Sequence, residues 1–261
     1  MLTHRLIACF DVIGNRLTKA VNFSNNIDVG DAISYAKKMY DMGVDEIIFY
    51  DIKASAEKRS IDIETVKKVA EVVFVPFTVG GGIASVEDMH RVLKAGAEKI
   101  SIDSMAVRNP EIIRQGAKAF GSQCIVLSMQ VIKKPSSNLP SGYEIAIDGA
   151  KKMTGKDALA WAKMGEELGA GEIVVNSIDA DGTLNGYDIE ITKKISEAVK
   201  IPVIASGGAG KIQHLFDVFT KTKAQACIIS SMLYSPRLEK NYSISEIKKE
   251  LIEKKIPLRP Y

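Results

Sequence analysis

The chain has 261 residues and a formal net charge of +3, with acids and bases interleaved. No basic stripe with aromatics marks a nucleic-acid partner, and no apolar run approaches the ~18 residues that cross a membrane. What remains is a globular protein, 46% hydrophobic and 26% charged, of a size that suits one α/β barrel domain over 1–261.

Met1-Leu2-Thr3-His4-Arg5 runs straight into a strand without the apolar region of a signal peptide, so a cytoplasmic location is expected. Leu6 to Phe10 is an apolar strand ending at Asp11. A turn at Val12 to Arg16 and a polar segment follow. Asp31 then caps a helix with Ile33, Ala36, Met39 and Tyr40 on one face, stopped by Gly43. Glu46 to Asp51 is a second strand, 54–62 a loop and 63–73 a helix. Pro76-Phe77-Thr78-Val79 leads into Gly80-Gly81-Gly82, and Ser85-x-x-Asp88 opens a helix like a capping box. Lys99 to Ser104 is a fourth strand, and Asn109-Pro110 starts a helix to Phe120.

Gln123 to Met129 is strand five, and 133–153 is a polar excursion, expected to be a hairpin. Lys156 to Leu168 is a helix with Leu159, Ala162 and Leu168 inward and Trp161 beside them. Glu172 to Asn176 is strand six, followed by the polar loop Asp179 to Thr183 and a helix capped by Asp188. Pro202-Val203-Ile204-Ala205 leads into Ser206-Gly207-Gly208-Ala209-Gly210 and a helix over 212–220. Ala226 to Ile229 runs into Ser230-Ser231, and 243–254 is the last helix. Cys9, Cys124 and Cys227 lie far apart inside apolar runs, the usage of buried reduced thiols.

Strands alternating with helices predict a (β/α)₈ TIM barrel, with an open doubly wound sheet as the alternative. The halves repeat. Gly43-Val44-Asp45-Glu46-Ile47-Ile48 parallels Gly169-Ala170-Gly171-Glu172-Ile173-Val174, Pro76 parallels Pro202, and 97–104 parallels 224–231. A buried strand that ends in glycines and turns into a helix presents bare N–H groups to an anion. Two such loops in a doubled barrel imply a substrate phosphorylated at both ends.

Active sites on this fold lie at the carboxyl ends of the strands. The candidates there are Asp11, Asp51, Asp103, Ser104, Gln130, Asn176, Asp181, Ser206 and Ser231. His4, His90 and His214 fall near a strand start or in helices and read as structural. The carboxylates are scattered without a His partner, so no metal or other cofactor is expected, and carboxylate acid–base chemistry remains. At the opposite end, Arg5, Glu46, Lys99 and Glu172 stand at strand starts. They are solvated rim residues or a closed salt-bridge ring with a gate or docking role, because ion pairs of this kind add little stability.

Together these residues resemble the HisF family, the cyclase subunits of imidazole glycerol phosphate synthase. The pieces that carry the resemblance are Cys9-Phe10-Asp11, Lys19 with Asn22-Phe23, Asp51-x-x-Ala54-Ser55, Phe77 to Ile83, Phe120-Gly121-Ser122-Gln123, Asn176 to Thr183, and Ile204 to Gly210. The resemblance implies a heterodimer with a HisH-like glutaminase bound at the bottom of the barrel. Ammonia would pass up the core to a bis-phosphorylated ribulosyl-formimino-AICAR, giving imidazole glycerol phosphate and AICAR. It implies Asp11 as a catalytic general base, and Lys19 on a loop over the substrate. Gly82 and Ser104 would lie at one phosphate, and Asp181, Gly182, Gly208, Ser230 and Ser231 at the other. Arg5, Glu46, Lys99 and Glu172 would form the ammonia gate.

Some positions depart from the family pattern. Gln130 stands where the second catalytic Asp is expected, and an amide cannot exchange a proton at neutral pH. Asp103 replaces an Asn, Lys53 a Thr, and Gly14-Asn15 an Asp-Gly; Tyr234-Ser235-Pro236-Arg237 stands where a His is common. The readings are a divergent cyclase, a paralogue that delivers ammonia to a separate amidotransferase for sugar amidination in surface-polysaccharide synthesis, or a scaffold that only docks its partner. The cyclase leads.

Overall fold

Short apolar strands whose two faces are both buried pair edge to edge into a closed ring. The computed structural model describes residues 3–21, 24–54, 57, 59–235 and 237–260; Met1, Leu2, Asn22, Phe23, Ser55 and Pro236, quoted above, lie outside them. The first half runs β1 (Arg5–Ile13), β2 (Arg16–Val21), β3 (Ser24–Asp31), α1 (Ala32–Asp41), β4 (Glu46–Asp51), α2 (Ile63–Ala70), β5 (Phe77–Gly80), α3 (Val86–Lys94), β6 (Lys99–Ile102), α4 (Ser104–Arg108) and α5 (Glu111–Phe120). The second half runs β7 (Ile125–Lys133), β8 (Tyr143–Ile147), β9 (Lys152–Asp157), α6 (Ala158–Glu167), β10 (Glu172–Ser177), α7 (Ile189–Ala198), β11 (Val203–Ser206), α8 (Ile212–Lys221), β12 (Ala226–Ile228), α9 (Ser230–Tyr234) and α10 (Ile244–Glu253).

Strands β1, β4, β5, β6, β7, β10, β11 and β12 are parallel neighbours in that order, and the β12–β1 and β7–β10 pairings close the ring. This is a (β/α)₈ barrel, and the open sheet is excluded. Side chains alternate along each strand. Ile7, Cys9, Ile48, Val126, Val174, Ile204, Ala226 and Ile228 fill the barrel interior. Their sequence neighbours, such as Leu6, Ala8, Ile47, Phe49, Leu127 and Ile173, pack against the helices. The half-barrel repeat shows in the short helices α4 and α9, which follow β6 and β12 at equivalent places.

Two segments differ from expectation. The polar segment before Asp31 is a β-hairpin: β1 continues past Asp11 and pairs with β2, which pairs with β3. Gly14 turns the chain at φ 60°, and Arg16 bridges Asp28 across the hairpin at 2.9 Å. Helix α6 starts at Ala158 rather than Lys156, because the Asp157 carboxylate accepts from the backbone N–H groups of Leu159 and Ala160. Ala162 and Leu168 are buried as expected and Trp161 joins them at 2% exposure, whereas Leu159 is only partly buried. The 133–153 excursion forms β8 and leads into β9 as an antiparallel hairpin beside β7, as expected.

Below the ring, the Lys248 ammonium on α10 donates to Asp45 Oδ1 at 2.8 Å. Asp45 Oδ2 accepts from the Leu6 N–H at 2.8 Å. Both side chains are buried, so each compensates the other's desolvation and pins the last helix to the first strand. Lys248→Met alone should lower unfolding stability by about 3–5 kcal/mol, because it strands a buried carboxylate. Lys248→Met with Asp45→Asn should lower it by less. Urea denaturation of both variants beside the parent checks this.

Candidate active site at the carboxyl ends of the strands

The strand register assembles the mouth. Gln130 pairs with Asn176 across β7–β10, Asn176 with Ser206 across β10–β11, and Asp11 with Tyr50 across β1–β4. Asn176 Oδ1 is buried without a hydrogen-bond partner among the described residues. A buried acceptor in that condition is one that a bound donor would satisfy.

Because β1 overshoots the ring, Asp11 stands beneath the β2–β3 hairpin, where Thr18 Oγ1 donates to its carbonyl at 3.0 Å. Burial pushes the Asp11 carboxyl up to about 6, against the pull of the Lys19 ammonium and with a push from Asp181. Asp181 is itself raised by burial and lowered by Lys19. Three residues predicted from separate segments therefore form one electrostatic cluster.

The first glycine loop is built against Asp51. Arg59 Nη1 and Nη2 clamp the Asp51 carboxylate at 2.6 and 3.0 Å, and the Lys53 and Ala54 N–H groups donate to Oδ1 at 3.2 and 3.1 Å. Asp51 is thereby committed to Arg59 and to the backbone of Lys53 and Ala54. Arg59 was not among the expected residues, because nothing in its sequence neighbourhood ties it to Asp51. Gly81 sits at φ 94°, and a Cβ there would come within 2.3 Å of the Asp51 carbonyl oxygen. Gly82 carries the same constraint against the Arg59 carbonyl, at 2.6 Å.

The second glycine loop is equally tight: a Cβ on Gly208 would come within 1.9 Å of the Gly186 carbonyl oxygen. His214 Nδ1 accepts the Gly210 N–H at 3.2 Å, so this histidine braces the loop. Arg237 Nη1 donates to the Gly182 carbonyl at 2.5 Å. His4 stacks on Phe219 and His90 on Phe120, as structural residues would.

Two hydroxyls expected at phosphates are already engaged. Ser104 Oγ accepts the Asp148 N–H at 3.0 Å. Ser230 Oγ accepts the Cys9 N–H at 2.9 Å and donates to the Cys9 carbonyl at 2.7 Å. The Ser230 O–H is thus spent on Cys9, whereas Ser104, which only accepts, keeps its O–H as a donor. Ser231, on the same short helix as Ser230, is buried at 8% exposure.

On the β6–β7 side, the Gln130 amide donates to the Asp103 carboxylate. Burial pushes Asp103 up to about 7; the Gln130 bond and Arg108 pull it down, and Asp148 pushes it further up. Arg108 is itself paired with Asp148 at 2.5 Å. Among the described residues, no cluster of His, Cys, Asp and Glu has the grouping that would hold a metal ion.

At the other end of the barrel the four charges close into a ring. Arg5 bridges Glu46 at 2.5 Å and also Glu172, while Lys99 bridges Glu46 at 3.2 Å and Glu172 at 3.0 Å. Both carboxylates are buried, whereas the two cations are partly exposed, 23% for the Arg5 side chain and 18% for that of Lys99. Each Glu therefore meets both cations, and these residues form a ring rather than a solvated rim. Between ring and mouth, the Tyr50 hydroxyl lies 3.1 Å from Ser101 Oγ and 3.4 Å from Ser128 Oγ, a polar layer within the barrel.

The carboxyls of Asp11 and Asp103 ionise less readily in the folded chain than in the unfolded one. Their stabilising effect is complete below the ordinary carboxylate range and is lost as pH rises through about 6 and about 7. Asp11→Asn should therefore stabilise the protein at pH 8 by about 1–3 kcal/mol and leave it unchanged at pH 4. Denaturation at both pH values checks the sign.

The model of the histidine biosynthesis protein family matches residues 5–239. Curated proteins named imidazole glycerol phosphate synthase subunit HisF are similar from end to end. The one from Desulfatibacillum aliphaticivorans is 55% identical over 260 residues, which covers 99% of this chain and 98% of that one. Those from Syntrophobacter fumaroxidans and Desulfosudis oleivorans are 54% and 53% identical, with 99% of each chain covered. With a family model over residues 5–239 and identity above 50% over nearly the whole chain, the chain belongs to the HisF family of histidine biosynthesis proteins.

Proposed function

We propose that this chain is the cyclase subunit of an imidazole glycerol phosphate synthase. It takes ammonia from a HisH-like glutaminase docked at the ring end. It condenses that ammonia with bis-phosphorylated ribulosyl-formimino-AICAR at the mouth, releasing imidazole glycerol phosphate and AICAR. The observation that carries this function is the pairing of two ends on one axis: a closed ion ring below, and titrating carboxylates between two glycine loops above.

The glycine loops hold the two phosphates through backbone N–H groups and fix the reacting carbons over the barrel axis. Asp11, raised to about 6, is mostly carboxylate at neutral pH, yet basic enough to take a proton. Lys19, beside Asp11 and Asp181, brings the cation that a bis-phosphate attracts. In the ring, Arg5 is the anchored member, and its guanidinium forks to two carboxylates. Lys99 holds the same carboxylates at 3.2 and 3.0 Å through a compact ammonium on a flexible stem, so it is the member that can swing aside. The polysaccharide alternative drew on Gln130, and no other feature of the chain favours it.

Ammonium salt with the bis-phosphorylated substrate should give turnover by the chain alone, and glutamine should give turnover once the glutaminase is added. Absence of both, with substrate still bound, would refute the cyclase. Asp11→Asn should lower kcat by about 10²–10⁴-fold with either nitrogen source. Lys99→Ala should spare ammonium-driven turnover and change only the fraction of glutamine-derived ammonia that reaches product, read as the ratio of glutamate to imidazole glycerol phosphate.

A further inference from the structure

The mouth has a second carboxylate, although not where a carboxylate was expected. Gln130 is 5% exposed, and its amide is oriented from behind. The turn between β8 and β9 runs through Asp148, Gly149 and Ala150 at φ 60°, 66° and 63°. Left-handed backbone costs about 1–2 kcal/mol at each non-glycine residue, so the turn is held there by its surroundings. It sets the Ala150 N–H on Gln130 Oε1 at 2.6 Å. With the oxygen engaged, the NH₂ must face the other way, and it donates to Asp103 Oδ2. Gln130 thus works as a fixed bracket that accepts from the turn and donates to Asp103.

The other carboxylates of the mouth are committed or belong to the opposite wall. Asp51 is clamped by Arg59, Asp148 is paired with Arg108, and Asp181 shares Lys19 with Asp11. Asp103 makes no ion pair among the described residues, and no donor there reaches Oδ1. It follows β6, on the side of the ring away from β1 and Asp11.

We propose that Asp103 is the second proton-transferring carboxylate of this site, positioned by Gln130, so that positions 103 and 130 carry one carboxylate and one amide in exchanged order. This rests on the function proposed above. The groups facing Asp103 are Gln130 from β7, Asp148 from the β8–β9 turn, Arg108 from α4 and the Tyr50 hydroxyl from β4. Burial with Asp148 outweighs Arg108 and the Gln130 bond, which leaves Asp103 near 7 against about 6 for Asp11. Carboxyls with separated values divide into acid and base.

In the condensation, the ammonia nitrogen adds to a substrate carbonyl carbon. As the C–O bond of that adduct breaks, Asp103 gives its proton to the departing hydroxyl, which leaves as water. Asp11 takes a proton from the nitrogen as the C=N bond forms. Exchange with solvent returns each carboxyl to its starting form, and no electrons change hands beyond the bonding pairs.

The test is ammonium-driven turnover against pH for the parent, Asp103→Asn, Gln130→Asp and the double variant, with infrared titration of the carboxyls. The parent should be active, with kcat falling as pH rises through about 7, in step with a titrating carboxyl that Asp103→Asn removes. Asp103→Asn should lose about 10²–10⁴-fold in kcat with KM changed much less. Gln130→Asp should place two carboxyls in contact and move the pH limb upward. The double variant should regain most of the turnover. Parent-like kcat and pH profile in Asp103→Asn would overturn the assignment. So would an inactive parent beside an active double variant, although the cyclase site would then stand. A parent and variants that all bind substrate without turnover would refute the cyclase itself. Should Asp103→Asn fail to fold, a parent kcat limb that does not coincide with a carboxyl titration overturns the assignment by itself.

Discussion

The mouth depends on the pairing of β7 with β10. That ladder lies within the second half-barrel and, with the β6–β7 and β12–β1 ladders that join the halves, leaves the ring no sheet edge. Its register, Gln130 opposite Asn176, fixes which polar residues stand side by side at the carboxyl ends. Shifting it by one residue would turn every side chain of β7 to the opposite face. Val126 and Ser128 would leave the interior, and Gln130 would no longer meet Asp103.

From that closure follows a division of labour along the barrel axis. Between the ends the interior is largely apolar, with Ile7, Ile48, Val174 and Ile204, interrupted by the Tyr50, Ser101 and Ser128 hydroxyls. At the bottom it carries charges that neutralise one another, and at the top, beside the paired Asp51 and Asp148, it carries Asp11 and Asp103, which no ion pair neutralises among the described residues. The ring of Arg5, Glu46, Lys99 and Glu172 satisfies its own desolvation. Asp11 and Asp103 are left with burial that no cation fully offsets, and their raised values measure that imbalance. A site of this kind weakens the fold above neutral pH and gains carboxyls able to exchange protons near pH 7. The Lys248–Asp45 pair and the apolar layer between strands and helices supply compensating stability elsewhere.

The glycine loops owe their shape to close packing. Gly81, Gly82, Gly207 and Gly208 take positive φ because backbone from the adjoining loops crosses where a Cβ would be. The neighbouring hydroxyls of Ser104 and Ser230 tie the short helices to the barrel.

The sequence by itself determined the barrel, its doubling and most of the mouth. Apolar strand runs, proline-opened strands and paired glycine loops are local patterns, and strand ends in this fold have one fate. Asp31 and Asp188 could be read as helix caps because capping is a contact within a few residues. The hairpin before Asp31 was not legible, since its strands are polar and are held by pairing with a β1 longer than its apolar run. Only the tertiary structure decided that Arg59 clamps Asp51, that Lys19 lies beside Asp11 and Asp181, and that four distant charges close into one ring. Only it brought Asp103 to Gln130 and gave the β8–β9 turn the task of orienting the amide. The physical reason is common to all of these: a side chain's partner and ionisation are set by burial and by neighbours remote in the chain, and in a closed barrel those neighbours are chosen by strand register.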